Sequence, residues 1–420
     1  MPSSSLIRQT VLSTGGLLVQ GLGRFAYTTV VARVFGPERF GVVNTLLSLS
    51  ILASLLWPTA AGNAAGTALA RDLAAGRPTR PTLDALSRSF LTSVACIAVV
   101  FAAIAAFSIR AAPGDVAQFT LLVVTWSAYI YLRGVRMGMG QVESATVWDG
   151  ISTAATLATV ALVSVGQIST LALLPLSVGY AVFASAAALA ARRASAGASA
   201  DETGRGPLGH ELTQLIAWNS GMLLASNGLI QFTMVFTYLT GTPDTAGQFA
   251  AAIAIATPAS MLAHAVSQVL IPRMSHWQHE DAVAAVRHTR RALVAISALL
   301  AVAFAAVAAL TPFVVDVVYG DRYQAAVGYT LALLGGVLLF SFTTVAASVL
   351  LVTRRARQSA IVTIGGAVVG VLGMVILGRT IDAGAAAAGG LAMGTLVTAV
   401  VHGLLAWRRR PIEAMAPTLV

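Results

Sequence analysis

The stretch Gly15–Gly41, GGLLVQGLGRFAYTTVVARVFGPERFG, decides how the chain is organised. It is an apolar run long enough to cross a bilayer, and it carries Arg24 near its middle. An arginine at that depth costs about 2.5–3.5 kcal/mol on an insertion scale, so it normally faces a protein interior or a watery cavity. The run ends in the turn sequence GPERFG at 36–41, between two hydrophobic segments. The stretch therefore predicts a bundle of helices around a buried positive charge.

The composition excludes a soluble globular protein. The mean hydropathy is +0.81, 57% of the residues are hydrophobic and 10% are charged, whereas soluble domains carry about 25% charged residues. Apolar runs of about 20 residues recur from end to end, which predicts an all-α polytopic membrane protein. The first run has one arginine before it and no clear cleavage site, so we interpret it as a retained helix rather than a signal peptide.

The hydrophobic runs predict twelve transmembrane helices in two sets of six. They lie at roughly 10–32, 42–68, 89–109, 118–137, 148–165, 168–190, 213–239, 246–270, 292–314, 326–352, 359–378 and 384–406. The polar, Gly-rich segment between the two sets is typical of a linker. We therefore expect an N-terminal six-helix lobe over 1–191, a cytoplasmic linker over 192–211, a C-terminal six-helix lobe over 212–407 and a cytoplasmic tail over 408–420.

The arginines predict the sidedness of these helices. Every basic residue other than histidine is an arginine, and the net charge is +10. With both termini in the cytoplasm, twenty arginines fall in inner segments, five in outer segments and Arg24 within the membrane. The bias follows the positive-inside rule, so we interpret these charges as topology signals and lipid contacts. A nucleic-acid partner is thereby excluded.

The two sets of six helices are predicted to be repeats. A shift of 206 positions aligns Thr14-Gly15 with Ser220-Gly221, Leu17-Leu18 with Leu223-Leu224, Pro37-Glu38 with Pro243-Asp244, and Gly41 with Gly247. Because each unit has an even number of spans, the copies share one orientation. A pseudo-two-fold axis along the membrane normal then relates them, an architecture typical of transporters with a site between the halves.

Arg24 is the first candidate for substrate binding. Under the 206 shift its counterpart is Ile230, so the charge belongs to one half and the repeat does not account for it. A guanidinium can bind the oxygens of an anionic phosphate bidentately. The alternative is a structural arginine that is capped by carbonyl groups or paired with a distant carboxylate.

Further polar residues fall in the first two helices of each half. Asn219, Asn227 and Gln231 are spaced by eight and four positions, so they are predicted to share a helical face. With Asn44 they could line a hydrophilic cavity for sugars, or they could form hydrogen bonds between helices. His264 is a candidate for ion coupling, with a structural hydrogen bond as the alternative.

Four glycine pairs with i, i+4 spacing predict close helix approaches. They are Gly62–Gly66, Gly134–Gly138, Gly366–Gly370 and Gly390–Gly394. The sequence does not indicate which helix each pair contacts.

Several classes of soluble chemistry are absent from the sequence. The chain has no lysine, so it has no phosphate-binding loop ending in Gly-Lys-Ser/Thr, and it has no HExxH motif. Cys96 is the single cysteine, which excludes a disulfide or thiolate metal site within one chain. The predicted outer loops are too short for a glycosyltransferase or polymerase site. We therefore expect no catalytic residues, no metal and no cofactor.

Two segments resemble polysaccharide flippases of the multidrug/oligosaccharidyl-lipid/polysaccharide (MOP) exporter superfamily. The first is ARVFGPERFG at 32–41, followed by a long second helix that runs to an Ala-Arg pair at 70–71. The second is VYGDRYQAA at 318–326, after the ninth span. The resemblance implies two six-helix lobes around a central cavity, which alternate between inward-open and outward-open states.

The resemblance also implies a function and partners. Such proteins move polyprenyl-diphosphate-linked oligosaccharides across the bacterial plasma membrane, with cavity arginines meeting the diphosphate and Arg24 as the candidate here. Membrane lipids, glycan polymerases and glycosyltransferases are the corresponding candidate partners. A lipid II flippase and a drug/cation antiporter of the same fold are alternatives, although the former resembles a fourteen-span pattern and the latter would need a buried carboxylate. A polysaccharide polymerase or ligase, or a non-transporting scaffold, represents a different class.

Overall fold

The computed structural model describes residues 3–195, 209–280, 282–352 and 355–407, and these ranges are almost entirely helical. The α-helices are α1 Ser3–Leu56, α2 Pro58–Ala74, α3 Arg80–Phe107, α4 Pro113–Gly138, α5 Val142–Val165, α6 Leu174–Ser195, α7 His210–Leu223, α8 Leu229–Thr240, α9 Pro243–Glu280, α10 Ala282–Tyr319, α11 Ala325–Val352, α12 Ala356–Leu377 and α13 Ala383–Trp407. Short 3₁₀ turns lie at Ser169–Leu171 and Asp321–Tyr323. The predicted all-α membrane fold is confirmed.

The helix α1 carries the first predicted span and the beginning of the second. Gly36 interrupts its helical dihedrals with φ 79° and ψ 173°, a conformation that is essentially restricted to glycine. Pro37 follows directly, where its fixed φ suits the first turn of a helix. The predicted turn at 36–41 is therefore a kink at one residue, and the second span is completed by α2 after a break at Trp57.

The seventh predicted span consists of α7, a π-helical turn at Leu224–Gly228, and α8. Within the described ranges, ten helices are long and apolar enough to cross a membrane, and one of these, Leu18–Leu56, continues through the kink. The second predicted span, at 42–68, begins on α1 and ends on α2. The eighth predicted span, at 246–270, lies on α9. The chain is therefore a multi-pass membrane protein.

The chain divides into two compact units, Met1–Ala250 and Ala251–Val420. The first unit contains α7 and α8 as well as α1–α6, because α2 packs against α7 and α1 packs against α8. In the second unit α13 packs against both α11 and α12. The predicted lobe boundary at 192–211 stays a prediction, and residues 196–208 and 408–420 lie outside the described part of the chain.

The four glycine pairs face one another across two helix crossings. A Cβ on Gly138 would lie 2.8 Å from the carbonyl oxygen of Gly66, so α2 and α4 cross with their backbones in contact. In the second unit, a Cβ on Gly394 would lie 2.6 Å from the carbonyl oxygen of Gly366, which places α12 against α13 in the same way. The predicted close approaches are confirmed, and their partners are now assigned.

Residues that the 206 shift relates also touch each other within the first unit. A Cβ on Gly41 would lie 2.9 Å from the backbone nitrogen of Gly247, and Asn44 Nδ2 donates to the carbonyl oxygen of Ala250 at 3.5 Å. Contacts between equivalent residues are what a two-fold axis produces. The contacts therefore agree with the predicted pseudo-two-fold relation between the first helices of the two halves.

Candidate functional site

Arg24 lies inside the first unit, where its partner is an aromatic ring. The side chain is partly buried, and its Cζ stands 5.8 Å from the centre of the Trp126 ring on α4. A guanidinium within about 6 Å of an indole centre makes a cation–π contact. Among the described residues, no carboxylate lies within salt-bridge distance of Arg24.

Two glycines on α1 bring Arg24 to this position. A Cβ on Gly16 would lie 2.5 Å from Asp149 Oδ2, and a Cβ on Gly23 would overlap the methyl group of Thr153. These glycines are seven residues apart, which places them on one helical face. The face packs directly on α5, and Arg24, the next residue along α1, reaches the neighbouring helix α4.

The Trp126 ring belongs to an aromatic cluster between α4 and α6. Its centre lies 4.7 Å from that of Tyr180 and 5.5 Å from that of Tyr129, and Tyr129 meets Phe183 edge-on at 4.8 Å. The indole Nε1 of Trp126 donates to the hydroxyl of Ser54 at 3.1 Å. The ring is therefore fixed by packing against two tyrosine rings and by one hydrogen bond.

Asp149 is the carboxylate of this region and is fully buried. Arg133 Nε donates to its Oδ2 at 3.1 Å, and the hydroxyl of Tyr129 donates to its Oδ1 at 2.9 Å. On α1, Gln20 Nε2 donates to the backbone carbonyl of Asp149 at 3.0 Å. Tyr129 thus joins the Asp149 ion pair to the ring stack under Arg24.

A third arginine lies at the end of α4. Arg136 is 4% exposed, its Cζ stands 5.6 Å from the Phe183 ring, and its Nη1 donates to Ser144 Oγ at 2.7 Å. We call this set the arginine cluster. It consists of Arg24, Trp126, Tyr129, Arg133, Arg136 and Asp149. Three guanidinium groups and one carboxylate give the cluster an excess of two positive charges, which favours an anionic ligand.

The other predicted binding residues lie apart from the arginine cluster. Asn44 is buried and makes the hydrogen bond to Ala250 described above. Asn219 lies on α7 and Asn227 in the π turn, both partly buried, while Gln231 on α8 is buried. Their role in binding sugars stays a prediction.

The π turn changes the alignment of this predicted polar face. In a regular α-helix, eight residues would separate Asn219 from Asn227 by about 80° around the axis. A π turn accommodates about one extra residue, so the separation falls to about 20°. The two amides are therefore closer to one face than the sequence spacing alone indicates.

The remaining candidates for ion or metal binding are the histidines. His264 lies on α9, but its side chain is outside the described part of the chain. His402 on α13 is fully buried, with Nε2 at 2.9 Å from the Ser359 hydroxyl and Nδ1 at 2.9 Å from the Thr398 carbonyl. A carbonyl only accepts, so Nδ1 carries the proton and Nε2 accepts from Ser359, a structural arrangement. Among the described residues, no group of His, Cys, Asp and Glu could hold a metal ion.

Arg24 is recognisable as a candidate from the sequence, but the residues around it are not. Arg133 and Arg136 were interpreted as topology signals because they lie near the end of a predicted span. Trp126 and Tyr129 gave no signal, since aromatic residues are common in apolar helices. Asp149, an ionisable residue at the start of the fifth predicted span, is the signal in the sequence that points to the cluster.

The family described as "Polysaccharide biosynthesis protein" matches residues 237–328. No curated protein matches the chain by sequence.

Solved structures match almost the whole chain at low sequence identity. The lipid II flippase MurJ in an inward closed conformation has a TM-score of 0.69 at 12% identity and covers 94% of this chain and 90% of its own. An inward-facing multidrug resistance MATE family transporter of the MOP superfamily has a TM-score of 0.65 at 15% identity, covering 94% and 97%.

A third structure is described by the charge of its pocket. It is a MOP superfamily transporter from Pyrococcus furiosus, whose binding pocket of reverse polarity suggests a different function. Its TM-score is 0.59 at 17% identity, with coverage of 96% and 95%. The chain therefore has the fold seen in these transporter structures, and residues 237–328 resemble a polysaccharide biosynthesis family.

Proposed function

We propose that this protein is a flippase that moves a polyprenyl-diphosphate-linked oligosaccharide across the bacterial plasma membrane by alternating access. One observation carries the proposal: Arg24 lies inside the helical bundle against Trp126, and no carboxylate of the described chain is within salt-bridge distance. A guanidinium without a carboxylate partner can bind the oxygens of a phosphate. The MOP fold and the match to a polysaccharide biosynthesis family support the same class of substrate.

The parts of the substrate would meet different parts of the protein. The diphosphate binds at Arg24, supported by the positive excess of the arginine cluster. The sugars pass the amides of Asn44, Asn219, Asn227 and Gln231, which can form hydrogen bonds with hydroxyl groups. The prenyl tail stays among the membrane lipids, because transferring it into a polar cavity would expose apolar surface.

The surroundings of the protein follow from the same proposal. The arginine bias supports a topology with both termini in the cytoplasm. Glycosyltransferases would supply the lipid-linked glycan on the inner face, and a glycan polymerase would use it on the outer face. The protein itself is a transporter rather than an enzyme, because moving the intact substrate makes and breaks no covalent bond.

Two related functions share this fold. A lipid II flippase is favoured by the similarity to MurJ, and it would use Arg24 for the same diphosphate chemistry. A drug/cation exporter is favoured by the similarity to the MATE transporters, but it would need an available carboxylate. Asp149 is engaged by Arg133 and Tyr129, so the charge balance of the cluster favours an anion.

The proposal is tested with purified protein in lipid vesicles. A labelled polyprenyl-diphosphate glycan is placed in one leaflet, and its accessibility to a membrane-impermeant glycosidase on the other side is followed over time. We expect access only when the protein is present. If the labelled glycan becomes accessible at the same rate with and without protein, the proposed flippase function is wrong. Lipid II and a lipophilic cation, tested in parallel, decide between the related functions.

Arg24 variants locate the activity within the protein. We expect Arg24→Ala to lower the flipping rate by about tenfold to a hundredfold, because hydrogen bonds to charged groups contribute about 1.5–3 kcal/mol. Arg24→Lys should keep part of the rate, since it keeps the charge but not the bidentate geometry. Arg379→Ala, at an exposed turn after α12, is the matched control. A fully active Arg24→Ala protein would assign Arg24 a structural role.

A further inference from the structure

We infer that Trp126 is a positioning residue for Arg24, which holds the guanidinium in place without neutralising its charge. This inference rests on the proposed function, because it concerns the residue that would bind the diphosphate. It adds a requirement at the site: within the described ranges, a π face and not an acidic side chain is the partner of the substrate-binding arginine.

The Trp126 ring is held firmly enough to orient another side chain. It lies about halfway along α4, where Tyr180 and Tyr129 pack against it and the buried hydroxyl of Ser54 accepts its N–H at 3.1 Å. Tyr129 is itself tied to Asp149 by a 2.9 Å hydrogen bond. The ring position is thus determined from α1, α5 and α6 together.

Two other arginines of the same unit, Arg39 and Arg133, are held by carboxylates. Arg39 donates from Nη1 and Nη2 to the two oxygens of Asp115 at 2.7 and 2.6 Å, and Arg133 donates to Asp149 at 3.1 Å. A carboxylate occupies the N–H donors and cancels the charge that an anionic substrate would meet. Arg24 lies against the Trp126 ring instead, and Arg136 likewise lies against the Phe183 ring, although Arg136 also donates to the Ser144 hydroxyl.

A ring holds the cation by a different mechanism. The negative face of the indole attracts the guanidinium through its quadrupole, and Trp has the strongest such field among the aromatic side chains. The ring carries no net charge, so the formal charge of Arg24 remains available to a phosphate. The contact also restricts the rotamers of a long side chain, which lowers the entropy lost when the substrate binds.

The test measures binding of inorganic pyrophosphate to the full-length protein in lipid nanodiscs. We expect Trp126→Leu to weaken binding by about tenfold, which corresponds to about 1.4 kcal/mol and lies within the range of a desolvated cation–π contact. Trp126→Phe should keep part of the affinity. Trp218→Leu, which changes a half-exposed tryptophan on α7, is the matched control and should bind like the unsubstituted protein.

A fluorination series separates a cation–π role from simple packing. Tryptophan analogues with one, two and three ring fluorines at position 126 keep nearly the same shape but weaken the negative face stepwise. We expect the logarithm of the pyrophosphate affinity to fall with each fluorine. Equal affinities across the series would overturn the inference, and the series decides the matter even where Trp126→Leu fails to fold.

The outcome also distinguishes the inference from the proposed function. If pyrophosphate binds equally well to the unsubstituted and Arg24→Ala proteins, both the inference and the role of Arg24 are wrong. If Arg24→Ala abolishes binding while all position-126 variants retain it, the inference alone is overturned and Arg24 remains the anion-binding residue.

Discussion

Asp149 is the residue on which the buried charges of α4 and α5 depend. It is fully buried, and its two oxygens are used by Arg133 and Tyr129. Breaking a buried ion pair by removing one partner costs about 3–5 kcal/mol, whereas removing both charges is often neutral. We therefore expect Asp149→Asn to lower the melting temperature strongly in detergent, while the double variant Arg133→Met/Asp149→Asn recovers most of the loss.

The matched control for this prediction is Asp316→Ala, which removes an exposed carboxylate at the end of α10. Exposed substitutions usually change the free energy of unfolding by less than about 0.5 kcal/mol. Melting followed by fluorescence-detected size exclusion compares the four proteins. If Asp149→Asn melts like Asp316→Ala, the ion pair contributes little to stability and Asp149 has another role.

For individual residues, the sequence predicted a charge within the membrane but not the side chains that contact it. Arg24 stood out because an arginine within an apolar run is costly in a membrane. Arg133 and Arg136 could not be recognised as interior residues, because their distance from the span end is compatible with either location. Trp126 becomes significant only when α4 is placed beside α1, which depends on packing between residues about one hundred positions apart.

Among the helices, crossing geometry is set by glycines whose partners the sequence does not specify. Gly365 and Gly366 are neighbours on α12, yet a Cβ on Gly366 would overlap Thr398 on α13, whereas a Cβ on Gly365 meets nothing within 4 Å. Overpacking a tight contact typically costs about 1–3 kcal/mol, whereas replacing an open helical glycine can gain up to about 1 kcal/mol. We expect Gly366→Leu to lower the melting temperature and Gly365→Leu to leave it unchanged or raise it.

Thermal melting of the two adjacent variants checks this prediction with one helix as its own control. Equal destabilisation would mean that α12 does not present Gly366 to α13.

The sequence predicted these close approaches and the helix order because apolar length and small-residue spacing are local signals. It predicted a turn at 36–41 but not that the irregular dihedrals are confined to Gly36, and it did not predict the π turn at 224–228, which no local residue pattern indicates.

For the whole molecule, the distribution of arginines predicts on which side of the membrane each loop lies. Cys96 is the single cysteine, so a Cys96→Ser background allows introduced cysteines to be labelled alone. Ala75→Cys, after α2, and Ala112→Cys, before α4, place exposed thiols on opposite sides of α3. With cytoplasmic termini, an impermeant maleimide added to intact cells should label position 112 and not position 75. The reverse pattern would invert the predicted orientation.

The backbone contact between α1 and α9 lies beside the predicted pseudo-two-fold axis, where a transporter of this kind opens and closes. On the predicted outer side, the kink of α1 meets the start of α9: a Cβ on Gly247 would overlap the carbonyl of Pro37, and a Cβ on Gly41 would lie 2.9 Å from the backbone nitrogen of Gly247. Backbones that approach so closely exclude any larger side chain. If the protein works by alternating access as proposed, this contact must form in the state that is closed to the outside.

We therefore expect Gly247→Leu to prevent outer closure and to reduce flipping in vesicles by about fivefold to a hundredfold, since overpacking of about 1–3 kcal/mol shifts a conformational equilibrium by that order. Gly221→Leu is the matched control, because a Cβ at Gly221 meets nothing within 4 Å. A cysteine at Asn44, buried beside the contact, should be labelled from outside faster when Gly247→Leu is present in the Cys96→Ser background. Unchanged labelling together with unchanged flipping would mean that the contact is a static helix crossing, and that the halves open elsewhere.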